Sequence, residues 1–103
     1  MKALSLIDIG SNSVRYMEAE SGDTGAVFEK QSTTTRLAEG LAQSGVLDLA
    51  GMARTLLTVR RYVKKAEQKH LSVFAYATSA VRDAKNRHEF IDRVKSETGI
   101  DVD

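Results

Sequence analysis

Leu4-Ser5-Leu6-Ile7-Asp8-Ile9-Gly10-Ser11-Asn12-Ser13-Val14-Arg15-Tyr16-Met17 is the stretch on which the fold turns. An apolar run ends around one acid, a four-residue turn follows, and a second, alternating run leaves it. Residues 3–9 read as a buried strand. Residues 14–20 read as a second strand, with Val14, Tyr16 and Glu18 on one face and Arg15, Met17 and Ala19 on the other. Asp8 interrupts the oily run, where a carboxylate without a partner is costly to bury. Near the end of a strand that partner is a metal ion or a water. Gly10 permits a tight turn because it tolerates positive φ. Ser11, Asn12 and Ser13 bring hydroxyls, an amide and successive backbone N–H groups, a set suited to phosphate oxygens. Ordinary hairpin turns use the same residues, so the stretch alone leaves both readings open.

Outward from it, Ser21-Gly22-Asp23-Thr24-Gly25 is a turn cluster. Ala26 to about Thr33 is a third strand, with Val27 and Phe28 its strongest β-formers. Short connections make the three an antiparallel meander. Thr33-Thr34-Thr35 prolongs the third strand, and Arg36 then opens a loop containing Gly40 and Gly45. On composition Arg36 is a solvated surface charge. Asp48 reads as the N-cap of a helix of about five to six turns. On it Leu49, Met52, Ala53, Leu56, Val59 or Leu57, Val63 and Ala66 recur at helical spacing. Arg54, Arg60, Arg61, Lys64, Lys65 and Lys69 decorate this helix. A basic helix can meet RNA or a membrane; the commoner role is a solvated face whose C-terminal charges the helix dipole favours.

Ser72-Val73-Phe74-Ala75-Tyr76-Ala77 is a further apolar strand. A strand after a long helix, with another helix to follow, is the α/β pattern of a crossover onto a sheet. Thr78-Ser79-Ala80-Val81-Arg82 stands at its carboxyl end, where open α/β sheets bind ligands. Asn86-Arg87-His88-Glu89 predicts a capping box. Phe90, Ile91 and Val94 form the buried stripe behind it, and Gly99 is the expected stop. Ile100-Asp101-Val102-Asp103 begins a fifth strand.

The bulk composition narrows the chemistry. Fifteen basic residues against 14 acidic ones leave a net charge of +1, which exerts no general pull on nucleic acid or anionic membrane. Any anion site must therefore be local. With no cysteine there is neither a disulfide framework nor a thiolate metal site. The N-terminal apolar run is too short for a signal peptide core or a membrane span, so a cytoplasmic location is the default expectation. No Gly-Lys-Ser/Thr phosphate loop and no Gly-x-Ser-x-Gly elbow occurs. His70 and His88 share no ligand spacing, and Ser79 has no neighbouring base. Asp8, residues 10–13, Arg15, Arg36 and Arg82 remain: an acid for a cation, donors for phosphate and planar cations for charge neutralisation. Phosphoryl transfer asks for such parts, because its catalysis is mostly positioning and charge stabilisation.

Three spaced motifs then carry a resemblance. Asp8-Ile9-Gly10-Ser11-Asn12-Ser13, Arg36-Leu37-Ala38-Glu39-Gly40-Leu41, and Tyr76-Ala77-Thr78-Ser79-Ala80-Val81-Arg82-Asp83-Ala84 with Asn86 resemble the start of the exopolyphosphatase and guanosine pentaphosphate phosphatase (Ppx/GppA) family. The resemblance spans essentially all 103 residues, and the set is far more specific than any one motif. It implies a ribonuclease-H-like α/β domain of the actin, heat-shock-chaperone and sugar-kinase superfamily. Such a domain starts βββαβαβ, an antiparallel meander followed by parallel strands with helices. Residues 1–103 would be the N-terminal portion of it, an incomplete domain.

The resemblance further implies Mg²⁺-dependent hydrolysis of the terminal phosphoanhydride of inorganic polyphosphate or guanosine pentaphosphate. Asp8 would help to hold the metal; Gly10, Ser11, Asn12 and Ser13 would hold the terminal phosphates. Arg82 matches the arginine that binds phosphate and stabilises developing charge, and Arg15 and Arg36 fall near the same cleft. The family's water-activating glutamate matches neither Glu89 nor Glu97 and is expected beyond residue 103. The chain alone is therefore expected to be inactive, and missing sheet partners would expose an edge that favours dimers or aggregation. The longer protein is expected to form a homodimer, with neither nucleic acid nor membrane as partner. A nucleotide-dependent kinase of the same superfamily is the alternative, against which the Ser-Asn-Ser turn and the Thr-Ser-Ala-Val-Arg stretch speak. A non-catalytic binding or oligomerisation module is the third reading.

Overall fold

The computed structural model describes residues 3–20 and 27–103, Phe28 by its backbone alone. The expected turn at 21–25 and the expected strand start at Ala26 lie outside the described residues. The elements run β1 (Ala3–Ile9), β2 (Ser13–Glu20), β3 (Val27–Thr34), α1 (Leu41–Ser44), α2 (Leu49–Gln68), β4 (Ser72–Ala77), α3 (Ser79–Arg82) and α4 (Arg87–Thr98). The sheet order is β3-β2-β1-β4. β1 pairs antiparallel with β2 and parallel with β4, and β2 pairs antiparallel with β3. The meander and the parallel crossover through a long helix are thus as the sequence predicts.

Strand alternation divides the sheet into two faces. Ile7, Ile9, Val14, Tyr16, Ala75 and Ala77 are buried together with Met52, Leu56, Val59 and Val63 of α2 and Phe90 and Val94 of α4. The other face carries Leu6, Asp8, Arg15, Met17, Phe74 and Tyr76, in register across β2, β1 and β4. Phe74 is 53% and Tyr76 38% exposed, so this face is partly open to solvent.

Several local expectations are corrected. Val59, not Leu57, belongs to the buried stripe of α2, and Leu49 and Ala53 face solvent. Ile91 is only half-buried. Asp48 does cap α2, accepting from the Gly51 N–H at 2.7 Å. Asn86 does not act as a capping-box residue: its side chain makes no cap bond to α4. Instead its amide oxygen accepts from the Leu47 N–H at 2.8 Å, and its amide nitrogen donates to the Leu47 carbonyl at 3.3 Å. A buried loop backbone outbids a helix end that water can solvate. Gly99 ends α4 in the left-handed region, φ 78°, as expected. The expected start of a fifth strand is present as a parallel bridge of Val102 to Ala75, with the Asp103 N–H donating to the Ala75 carbonyl at 3.0 Å. The short helices α1 and α3 lack the periodicity that would reveal them.

Far from the 10–13 turn, β2, β3 and α2 are locked by charge. Glu18 is 1% exposed; it accepts from the Tyr16 hydroxyl at 2.7 Å and from Lys69 Nζ at 3.0 Å. Glu29 accepts from Lys65 and, at 3.1 Å, from Lys69. Tyr16 stacks on Tyr62 with ring centroids 4.9 Å apart. Its phenol is pushed well above the ordinary range, first by burial and then by Glu18.

Lys69→Met leaves the Glu18 carboxylate buried without a cation. Urea unfolding at neutral pH is expected to show a lower stability than wild type, by less than the full cost of breaking a buried pair because Lys69 is half exposed. The Lys65 and Lys69 hydrogen bonds hold the Glu29 carboxyl below its ordinary 4.5. Its contribution is complete above that value and is lost as acid carries the pH through the lowered pKa. Glu18 and Glu29 raise the Lys69 amine above its ordinary 10.5, so its share is complete below that value and is lost in stronger base. The stability gap between wild type and variant is expected to plateau between these limits and to shrink outside them.

Candidate functional site

Parallel pairing places the carboxyl ends of β1 and β4 side by side. Asp8 lies opposite Tyr76 and Ile9 opposite Ala77, and the Thr78 N–H donates to the Ile9 carbonyl at 3.2 Å. On the other side of β1, Asp8 lies directly opposite Arg15 of β2. No cation lies within ion-pairing distance of Asp8 among the described residues. Asp8 Oδ1 is buried without a hydrogen-bond partner, a state that normally costs about 1–3 kcal/mol or more. Burial first, and then the Asp8 charge, raise the neighbouring Tyr76 phenol above its ordinary range, while Arg15 pulls it down.

The 10–13 turn is held by its carbonyls. Ser13 O accepts from the Gly10 N–H at 3.0 Å. Asn12 O accepts from Thr35 at 2.9 Å and Arg36 at 3.0 Å, and Ser11 O accepts from Ala38 at 2.9 Å. The C=O and N–H of one peptide plane point opposite ways. The Asn12 and Ser13 N–H groups are therefore turned away from the 35–38 segment. Gly10 is needed for a reason other than the expected one. It does not adopt positive φ; a Cβ there would lie 2.8 Å from the Ser13 carbonyl oxygen.

The Arg36 side chain is exposed, as composition suggests, while its backbone joins the turn. Its backbone sits in the left-handed region, φ 54°, where a side chain costs on the order of 1 kcal/mol. With Ser11, Asn12, Ala38 and Glu39 it lines a hollow of about 380 Å³. Asp8 and Arg82 are not among the lining residues of that hollow. Arg15 lines another, with Tyr16, Met17, Lys30, Gln31 and Ser32. Arg82 is exposed and ends α3, its N–H donating to the Thr78 carbonyl at 3.0 Å. It thus leaves the same end of the sheet as Asp8 and the turn. Both histidines, His70 and His88, are solvent-exposed.

The sequence reading placed Thr78 and Tyr76 in the third motif but gave neither a role in the site. After the Asp8 carboxylate oxygen, the Thr78 hydroxyl Oγ1 is a second buried oxygen without a partner at this end of the sheet, and Tyr76 flanks the acid. Only the register of β4 against β1 reveals either.

No group of three or more His, Cys, Asp or Glu gathers into a metal cage among the described residues. Mg²⁺ does not require one, being held commonly by one or two carboxylates, waters and substrate phosphates. The unpartnered oxygen of Asp8 is a hard donor suited to that role.

The sheet order and the parallel crossover define an α/β domain with a mixed sheet, and the Ppx/GppA structures that it matches belong to the actin-like superfamily. The chain belongs to the Ppx/GppA phosphatase family, whose model matches residues 17–103. It is 33% identical over 102 residues to exopolyphosphatase 1 of Mycobacterium tuberculosis, covering 96% of this chain and 30% of that protein. The crystal structure of the type II variant of the Aquifex aeolicus Ppx/GppA phosphatase matches with a TM-score of 0.90 at 32% identity, covering 99% of this chain and 35% of that one. An exopolyphosphatase from Cytophaga hutchinsonii matches at 0.88 and 27%, covering 98% and 33%. The chain thus spans about a third of the length of these relatives. No described helix is long and apolar enough to cross a membrane.

Titration of Tyr76 checks the geometry. Asp8→Asn removes a charge that raises its pKa and is expected to move it down toward 10.0; Arg15→Gln is expected to move it further up. Ultraviolet difference titration of the phenols reads both shifts.

Proposed function

We propose that this chain is the N-terminal phosphate-binding part of a Mg²⁺-dependent phosphohydrolase. The substrate would be inorganic polyphosphate or guanosine pentaphosphate, cleaved at the terminal phosphoanhydride. The observation that carries the reading is the turn whose Ser11, Asn12 and Ser13 carbonyls are hydrogen-bonded within the protein, two residues from the buried, unpartnered carboxylate oxygen of Asp8. The names of the relatives, exopolyphosphatases and Ppx/GppA phosphatases, support it.

The division of labour follows from the chemistry of each group. The Asn12 and Ser13 N–H groups and the Ser11 and Ser13 hydroxyls donate to terminal phosphate oxygens. Arg82 offers a planar fork to the same group and neutralises charge as the bridging P–O bond breaks. Arg36 and Arg15 supply positive charge at either side of the turn. Asp8 is the residue to hold Mg²⁺; bound there, the ion would draw charge from the phosphate oxygens. The base that activates water would come from a glutamate in the remainder of a longer, homodimeric protein, located in the cytoplasm, so this chain alone would bind without turnover.

Phosphate release by the longer protein from both substrates, with and without Mg²⁺, tests the reading. Arg82→Lys is expected to lower kcat by about 100-fold, since lysine keeps the charge but not the fork. Turnover equal to wild type would remove Arg82 from the mechanism. Asp8→Asn is expected to shift the Mg²⁺ titration to higher concentration by roughly tenfold or more. An unchanged titration would overturn the metal assignment. Transfer of phosphate to an acceptor from a nucleotide, in place of release, would favour the kinase alternative.

A further inference from the structure

We infer that Arg54 and Gly51 of α2, neither of which touches the 10–13 turn, set the shape in which that turn receives an anion. The inference rests on the phosphate-binding reading above and adds the part that holds the binding turn in place. The Ser11 and Asn12 carbonyls of the 10–13 turn lean on the backbone of Thr35, Arg36 and Ala38. That segment is itself unfavourable in isolation, because Arg36 occupies the left-handed region. Something must hold it.

The first turns of α2 do. Arg54 Nε donates to the Thr35 carbonyl at 2.9 Å, turning the Thr35–Arg36 peptide so that the Arg36 N–H meets Asn12 O. The Arg54 guanidinium is steadied by Glu39 and Asp48, each 3.9 Å away. The Asp48 N–H donates to the Leu37 carbonyl at 3.3 Å. Gly51 lets the segment lie directly on the helix: a Cβ there would stand 2.8 Å from the Arg36 carbonyl oxygen and 3.1 Å from Leu37 Cα. Both are backbone atoms, so a methyl group at Gly51 displaces the segment rather than a flexible side-chain end. The chain of support is α2, then 35–38, then the carbonyls of Ser11 and Asn12, and finally the N–H groups on the far side of those peptides. Arg54 is a positioning residue in this scheme, and Arg36 lies between it and the ligand hollow.

The test uses the longer protein with inorganic triphosphate as probe, followed through the backbone amide resonances of Ser11, Asn12 and Ser13. Wild type is expected to bind with shifts centred on these amides. Arg54→Met keeps the aliphatic stem and removes the donor. It is expected to weaken triphosphate binding about five- to tenfold, the equivalent of one hydrogen bond's net worth, and to speed hydrogen exchange at Thr35, Arg36 and Ala38. Charge alone is separated from shape by salt. In about 0.5 M NaCl, where screening acts within a few ångströms, a shape effect persists and a long-range charge effect disappears. Gly51→Ala changes no charge and is expected to weaken binding in the same direction at unchanged helix content. An Arg54→Met variant with wild-type affinity, or a loss abolished by salt, overturns the inference and leaves the phosphate-binding reading standing. Wild type that shows no shift at these amides overturns both.

Discussion

The pairing of β1 with β4 is the constraint on which the site depends. Parallel strands cannot be joined by a hairpin and need a crossover, which α2 provides while burying the helical face of the sheet. The reward is positional. Two strands that run the same way deliver their carboxyl ends together, so Asp8 meets Tyr76 across the ladder and Thr78 closes onto Ile9. Antiparallel β2 then returns through the 10–13 turn and sets Arg15 on the other flank of the acid. One hydrogen-bonding pattern gathers groups from three separate stretches of sequence.

The two ends of this sheet are built to opposite principles. At one end Glu18, Glu29, Tyr16, Lys65 and Lys69 satisfy one another across β2, β3 and α2. At the other end Asp8 Oδ1 and the hydroxyls of Thr35 and Thr78 are buried without partners. Unpaired buried polar atoms are uncommon in folded proteins and call for a reason. They concentrate around the carboxyl ends of β1 and β4 and the segment against the 10–13 turn, the region where the proposed function puts the phosphate groups. The stabilising network is therefore remote from the groups proposed to meet substrate.

Much of this was legible from the residues. Alternation in 14–20 put Val14, Tyr16 and Glu18 inward, and they are buried. Asp48 announced the start of α2 and Gly99 the end of α4. Arg36 was legible only in part: composition made it a solvated charge and its side chain is exposed, but its main-chain bond to Asn12 is a long-range contact that composition does not show. Asn86 misled for a related reason: its amide found both polar groups of Leu47, 39 residues away in sequence. Thr78 and Tyr76 lie in the third motif, but their places beside Ile9 and Asp8 emerge only once strand register is known. Local signals fix elements; long-range hydrogen bonds decide which residues share a site.

The scaffold of the 10–13 turn is made almost wholly of main-chain atoms. Neither Ser11 nor Asn12 contributes its side chain to the bonds that hold the loop. The identities of those two side chains are consequently free to drift without loosening the architecture. A lineage could retune which oxyanion it prefers by exchanging one short polar group for another, while the geometry beneath stayed constant.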